Sequence, residues 1–217
     1  MPNPDFKPDR AHHTSEGFQN LPGGKDKPGF DAFLKWQWER WGSELPVQDA
    51  ERVPRVPLNP AQLRDRSPGW RMTWLGHASV HLQVDGLLIL IDPVLSGRAS
   101  PSESMGPKAQ NPSPLPLQEL PRVDLVLISH NHYDHLDERT VRALAAQAGG
   151  PPTFVVPLGV DRYLRDWGVN SVVSMDWFDT RTFKLPLRAA SSLTLEMIPA
   201  HHWSRRTLWD TNKTLWG

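Results

Sequence analysis

An apolar run that empties into a cluster of histidines constrains this chain more than any other feature. Val123-Asp124-Leu125-Val126-Leu127-Ile128 is β-prone and nearly continuous, the pattern of a strand buried on both faces. Ser129-His130-Asn131-His132-Tyr133-Asp134-His135 follows at once and places four potential metal ligands within six residues. On extended backbone His130 and His132 project to the same side, because side chains repeat every second residue. Asp134 and His135 fall at the turn into the next element, where the change of direction lets them serve a neighbouring position. Three imidazoles and a carboxylate crowded at the end of a buried strand suffer repulsion and desolvation that a cation removes. The pattern therefore points to metal binding rather than to a solvated histidine loop. An imidazole pair for one ion and an Asp-His pair for a second is the economical arrangement. This ligand set suits zinc best, with iron and manganese as alternatives.

Composition narrows the chemistry further. The chain has no cysteine, which removes disulfides, thiolate metal sites and cysteine nucleophiles together. Its formal net charge is zero, so no basic field advertises a nucleic-acid partner. Apolar stretches such as Leu87 to Ile91 are far shorter than the ~20 residues that cross a bilayer, and the start lacks the pattern of a signal peptide. A cytoplasmic protein is the expectation, with peripheral membrane contact as an extension of it. Ten tryptophans stand against two tyrosines. They read as core packing or as an aromatic surface facing lipid or ligand.

Residues 1–69 read as a proline-rich extension wrapped on a domain that occupies 70–217. One helix is expected within it, over Phe30–Trp41, with Phe30, Phe33, Leu34, Trp38 and Trp41 at helical spacing and Gly42 to stop it. That face is expected to dock on the main domain. The alternative is a membrane-surface helix, since Trp36, Trp38 and Trp41 sit beside Lys35 and Arg40. From Trp70 strands are expected at Arg71–Leu75, Ser79–Val84 and Leu87–Ile91, the last two joined by a tight Asp85-Gly86 turn. Ser96 to Pro121 reads as a long functional or mobile loop. Beyond the histidines a helix with Asp137 as its N-cap carries Val141, Leu144, Ala145 and Ala148, and Gly149 ends it. Strands at Thr153–Val156, Ser171–Ser174 and Leu193–Ile198 and a short helix bearing Val160, Tyr163, Leu164 and Trp167 complete an α+β pattern.

The H-x-H-x-D-H spacing resembles the metallo-β-lactamase superfamily. The wider text resembles its N-acylphosphatidylethanolamine-hydrolysing phospholipase D branch. The resembling segments are Thr73–Ser79, Ile91-Asp92-Pro93, Arg98–Ser102, Met105–Lys108, Ile128–Asp137 and Pro199–Gly217, so the likeness runs from about Trp70 to Gly217. It implies an αββα sandwich with two zinc ions held between loops at one edge of the sheets. By position, His130, His132 and His202 resemble the ligands of the first ion, and Asp134 and His135 those of the second. Asp134 also helps to place the attacking water. Asp92 resembles the aspartate that braces the histidine loop from behind the ligands. His201 falls where the family varies.

His77 resembles a family position near the site, but packing or a backbone hydrogen bond accounts for it equally well. His81 alternates with apolar neighbours and reads as structural. Neither is counted as a ligand.

The implied activity is metal-dependent hydrolysis of a phospholipid or other phosphodiester. The alternatives are a soluble small-molecule phosphodiester or lactone hydrolase, and an inactive metal-binding module if the chain is naturally this short. A bridging aspartate and a last histidine expected from the resemblance lie outside this sequence, and Asp210 does not replace the aspartate. The second half of the sandwich is therefore expected to be incomplete, with sheet edge and apolar surface uncovered. Trp36, Trp38, Trp41, Lys108, Arg205 and Arg206 are candidates for contact with a bilayer.

Overall fold

The computed structural model describes residues 2–22, 34–35, 38–39, 56–102, 104–106, 108–109, 115–187 and 191–217. A short hairpin, β1 (His13–Thr14) and β2 (Gly17–Phe18), opens the chain. Helix α1 (Pro60–Arg64) starts on Asn59, whose side chain accepts from the Ala61 N–H, with proline at the first turn where its missing N–H costs nothing. Next come β3 (Trp70–Gly76), β4 (Ser79–Val84) and β5 (Leu87–Ile91), an antiparallel meander. Asp85 and Gly86 both have positive φ, as the tight turn between β4 and β5 requires.

β6 (Leu125–Leu127), β7 (Thr153–Pro157) and β8 (Val172–Met175) then add in parallel to β5, giving a six-stranded sheet in the order β3-β4-β5-β6-β7-β8. Helices α2 (Glu138–Ala145) and α3 (Val160–Asp166) supply the crossovers from β6 to β7 and from β7 to β8. Asp137 caps α2 by accepting from the Arg139 N–H.

Two apolar layers sandwich the sheet. On one face Val141 and Leu144 of α2 and Val160 and Leu164 of α3 pack against Leu88, Leu90, Val126, Phe154 and Val156. On the other, the hairpin β9 (Thr180–Lys184) and β10 (Ser192–Glu196) lays Phe183, Leu193 and Leu195 over Val84, Leu87, Ile89 and Leu125. Helices, sheet and second sheet are thus stacked in the layer order expected. Trp70, Met72 and Trp74 extend the hairpin-facing surface along edge strand β3, where they remain 70%, 73% and 56% exposed.

Only Leu34, Lys35, Trp38 and Glu39 of the helix expected over Phe30–Trp41 are described, and all four are helical. Leu34 and Trp38 are exposed, so that part of the face is not docked as expected. Trp36 and Trp41 lie outside the described residues. The remaining tryptophans divide: Trp177 and Trp216 are buried with Phe18 and Leu215, Trp167 and Trp203 are half-buried, and Trp70, Trp74 and Trp209 are exposed. The hairpin β1–β2, α1 and β9 carry no clear signal in the sequence. Each is short, and β9 has mostly exposed, polar residues that carry little apolar alternation.

His81 sits in the middle of β4 opposite Thr73 and Leu90, fully buried, with no hydrogen-bond partner for either ring nitrogen among the described residues. Burial pushes its pKa down to about 4 from 6.5, and Arg66 adds to the shift. The unfolded chain binds a proton that the native state rejects, so His81 leaves stability intact above its ordinary pKa and erodes it as pH falls toward 4. Linkage puts the loss between pH 7 and pH 5 at about 2 kcal/mol. Urea unfolding at the two pH values should show that the His81→Leu variant loses about this much less than the parent. Equal losses would place a partner on the ring.

Candidate metal centre

β6 delivers the histidine loop to the carboxyl end of the sheet, beside the loop that follows β5. There Asp92, buried and at φ 41°, turns its carboxylate under the histidines. It accepts the Ser129 N–H at 2.7 Å and the Ser129 hydroxyl at 2.6 Å, and pairs with His135 Nδ1 at 2.8 Å.

These bonds assign protons. Ser129 Oγ spends its own proton on Asp92, so at 2.9 Å it can only accept from His130 Nδ1–H, which leaves His130 Nε2 as a bare lone pair. His135 likewise donates from Nδ1 to Asp92 and keeps Nε2 open. A histidine with one nitrogen tied to a carboxylate or hydroxyl and the other facing inward is the arrangement of a metal ligand.

Three imidazole nitrogens then converge. His130 Nε2 lies 2.8 Å from His132 Nδ1, and His202 Nε2 lies 3.1 Å and 3.3 Å from these two. No carboxylate intervenes in this trio. Around a tetrahedral zinc with nitrogen ligands at ~2.1 Å, neighbouring ligand atoms sit about 3.4 Å apart, so the trio fits a single ion. Burial together with neighbouring imidazoles pushes the pKa of His130 down to about 2, and burial lowers that of His202. Both rings are neutral near pH 7, as ligation requires.

A second group adjoins the first, with the His130 and His135 ring centroids 4.1 Å apart. In it Asp134 Oδ2 lies 3.0 Å from His77 Nε2 and 3.8 Å from His135 Nε2. Burial opposes the charged form of His135, yet the Asp92 and Asp134 carboxylates carry its pKa above the ordinary value. Burial opposes the charged form of Asp134, yet His135, the residue's own backbone N–H and His77 together hold its carboxyl below the usual carboxylate range.

The structure therefore gathers His130, His132 and His202 in one group and Asp134 and His135 in another, with Asp92 behind both. It also brings in His77, whose sequence context does not mark it as a ligand. The strand-turn position of His77, at φ 44°, was visible in the sequence, but its approach to Asp134 across 57 residues was not. His201 is exposed beside His202 and belongs to neither group.

The two loops that bear the histidine trio are tied to one another. Arg206 donates to the carbonyls of Asn131 and Leu136, at 3.2 and 2.7 Å, and stacks 4.0 Å above the Tyr133 ring. Asn131 Oδ1 in turn accepts the Arg205 N–H at 2.8 Å. Arg206 was expected among bilayer-facing residues. It is instead turned inward, because its guanidinium satisfies carbonyls of the histidine loop.

A mixed sheet whose parallel strands end in paired histidine groups defines a metal-binding domain. Residues 88–217 match the Beta-lactamase superfamily domain, and the chain belongs to the metallo-β-lactamase superfamily. An uncharacterized protein of Mycobacterium tuberculosis is 40% identical over 178 residues, covering 80% of this chain and 45% of its own length. N-acyl-phosphatidylethanolamine-hydrolyzing phospholipase D 1 of Caenorhabditis elegans is 34% identical, covering 66% of this chain and 41% of its own length. The mitochondrial N-acyl-phosphatidylethanolamine-hydrolyzing phospholipase D of Saccharomyces cerevisiae is 35% identical, covering 66% and 30%. The chain thus spans less than half the length of these relatives.

Proposed function

We propose that this chain carries the histidine-rich part of a zinc-dependent hydrolase that cleaves phosphodiesters of N-acylphosphatidylethanolamine-like lipids. The observation that carries the reading is the convergence of His130, His132 and His202 beside His77, Asp134 and His135, in a chain 34% and 35% identical to two phospholipases of that specificity. His130, His132 and His202 would hold one ion, and Asp134 and His135 would hold the second with His77 alongside. Zinc bound there supplies Lewis-acid polarisation of the phosphoryl oxygen and acidifies water. The residues of the chain supply the rest: Asp92 fixes the tautomers of His130 and His135, and Asp134 orients the attacking water. No side chain need act as nucleophile.

Exposed apolar side chains on the segments that also carry His77 and His202 support a lipid substrate. Trp74 donates from Nε1 to the His77 carbonyl and is more than half exposed. Leu208 and Trp209, on the loop that follows His202, are 72% and 86% exposed, and Lys108 is exposed as well. Tryptophan with lysine is the combination that seats a protein at the headgroup level.

The test uses the complete protein. It should sediment with anionic liposomes at low salt, less so as screening rises, and Trp209→Ala should weaken the association several-fold. It should also hydrolyse N-acylphosphatidylethanolamine in vesicles. Indifference to liposomes combined with efficient cleavage of soluble phosphodiesters or lactones would replace this reading with a small-molecule hydrolase.

A further inference from the structure

A second buried cluster lies away from the metal centre. Asp176, fully buried just after β8, faces three cationic or donor side chains from the start of the chain. Lys7 Nζ lies 3.0 Å from Oδ2, His12 Nε2 lies 2.7 Å from Oδ1, and His13 Nε2 lies 3.1 Å from both oxygens. The Trp177 N–H donates to Oδ1 as well, at 2.9 Å. The His12 ring stacks on Trp177 with centroids 4.4 Å apart. These His and Asp side chains are close enough to hold an ion, but the carboxylate is already saturated with donors and the Lys7 ammonium occupies the cation's place. The cluster is a clasp on the segment Asn3–Asn20, which crosses the fold as a strap.

The strap runs from the clasp to the metal centre. Asn3 donates to the carbonyls of Thr14 and Gly17, at 3.2 and 2.8 Å, and closes the β1–β2 hairpin. The Phe18 N–H donates to the Asn212 carbonyl at 2.8 Å, and Gly17 lies so close to that carbonyl that a Cβ has no room. Phe18 is buried with Trp177, Leu215 and Trp216, and the Trp216 indole donates to the Ala200 carbonyl at 2.9 Å. Two residues past Phe18, the Asn20 side chain accepts the backbone N–H of His202 at 3.1 Å. The third imidazole of the trio is therefore seated by the strap as well as by its own loop.

We infer that Asp176 is a positioning residue for the metal centre: by clasping Lys7, His12 and His13 it holds the strap in register, and Asn20 at the strap's end fixes the backbone of His202. This inference rests on the metal-site reading above. Groups that tie a ligand from behind are worth 10–100-fold in metal affinity. The clasp acts one step further back, so an effect at the lower end of that range is expected.

The experiment is a double-variant cycle on the full chain, read by Zn2+ affinity in competition with a chromophoric chelator and by the visible absorption of the Co2+-loaded protein. Asn20→Ala and Asp176→Asn should each weaken Zn2+ binding about tenfold and shift the Co2+ bands in the same direction. The double variant should be no weaker than the singles by more than about twofold, because both act through one bond. A loss of stability alone would leave the Co2+ bands where they are. Should Asp176→Asn fail to fold, Lys7→Met removes the exposed donor and takes its place in the cycle. Parental affinity and spectrum in either single variant, or effects that multiply in the double, would overturn the inference. His202→Ala is the control on the underlying reading: if it too binds Zn2+ like the parent, it is the metal site that has failed and not the clasp.

Discussion

Replacing His132 by alanine in the complete protein is expected to cut phosphodiester turnover about a thousandfold or more, the equivalent of several kcal/mol of lost transition-state stabilisation. The expectation follows from the trio itself. His132 Nδ1 is 2.8 Å from His130 Nε2, so its removal leaves two imidazoles where an ion needs at least three protein ligands. Elemental analysis separates the two halves of the site. His132→Ala should lose the first ion, whereas Asp134→Asn should keep it, lose the second and also lose turnover. His201→Ala, one residue from His202 but exposed and outside both groups, should retain both metal and activity. Full turnover in the His132→Ala and Asp134→Asn variants together would end the two-ion hydrolase reading. Metal loss in His201→Ala would mean that the wrong histidine of the pair has been placed in the trio.

The parts of this site legible in the sequence were those encoded within a single segment. His130, His132, Asp134 and His135 are neighbours in the chain, and the buried run before them fixed where they would emerge. The meander of β3 to β5 was equally plain, because Asp85-Gly86 punctuates alternating strands. His202 and Asp92 came only through resemblance, since nothing local distinguishes His202 from His201 or ties Asp92 to a residue 37 positions away. What escaped altogether depends on chain crossing. His12 and His13 are adjacent, but their meaning lies in Asp176, more than 160 residues on. Arg206 reads as surface charge until the carbonyls of Asn131 and Leu136 are brought beneath it. Long-range hydrogen bonds to backbone leave no periodic trace for a sequence to display.

The same reasoning makes Asp92 the residue whose loss should do the most damage without touching an ion. Its carboxylate is 5% exposed and accepts the Ser129 N–H, the Ser129 hydroxyl and His135 Nδ1. Alanine would take the acceptor away from all three half-buried donors, a cost of about 2–3 kcal/mol in stability. It would also release the proton order of the site: Ser129 would no longer be obliged to accept from His130, and His135 would be free to rotate or to protonate at Nε2. Asparagine is not a safe substitute, because its amide group would point a second donor at Ser129 or His135. Zn2+ affinity should fall 10–100-fold in Asp92→Ala, with urea unfolding showing the stability loss in parallel. Asp92→Asn should lose affinity to a similar extent while recovering part of the stability, since its one oxygen still accepts. A variant that unfolds earlier but binds Zn2+ like the parent would show that Asp92 supports only the turn after β5, and that the histidine loop orders its own protons.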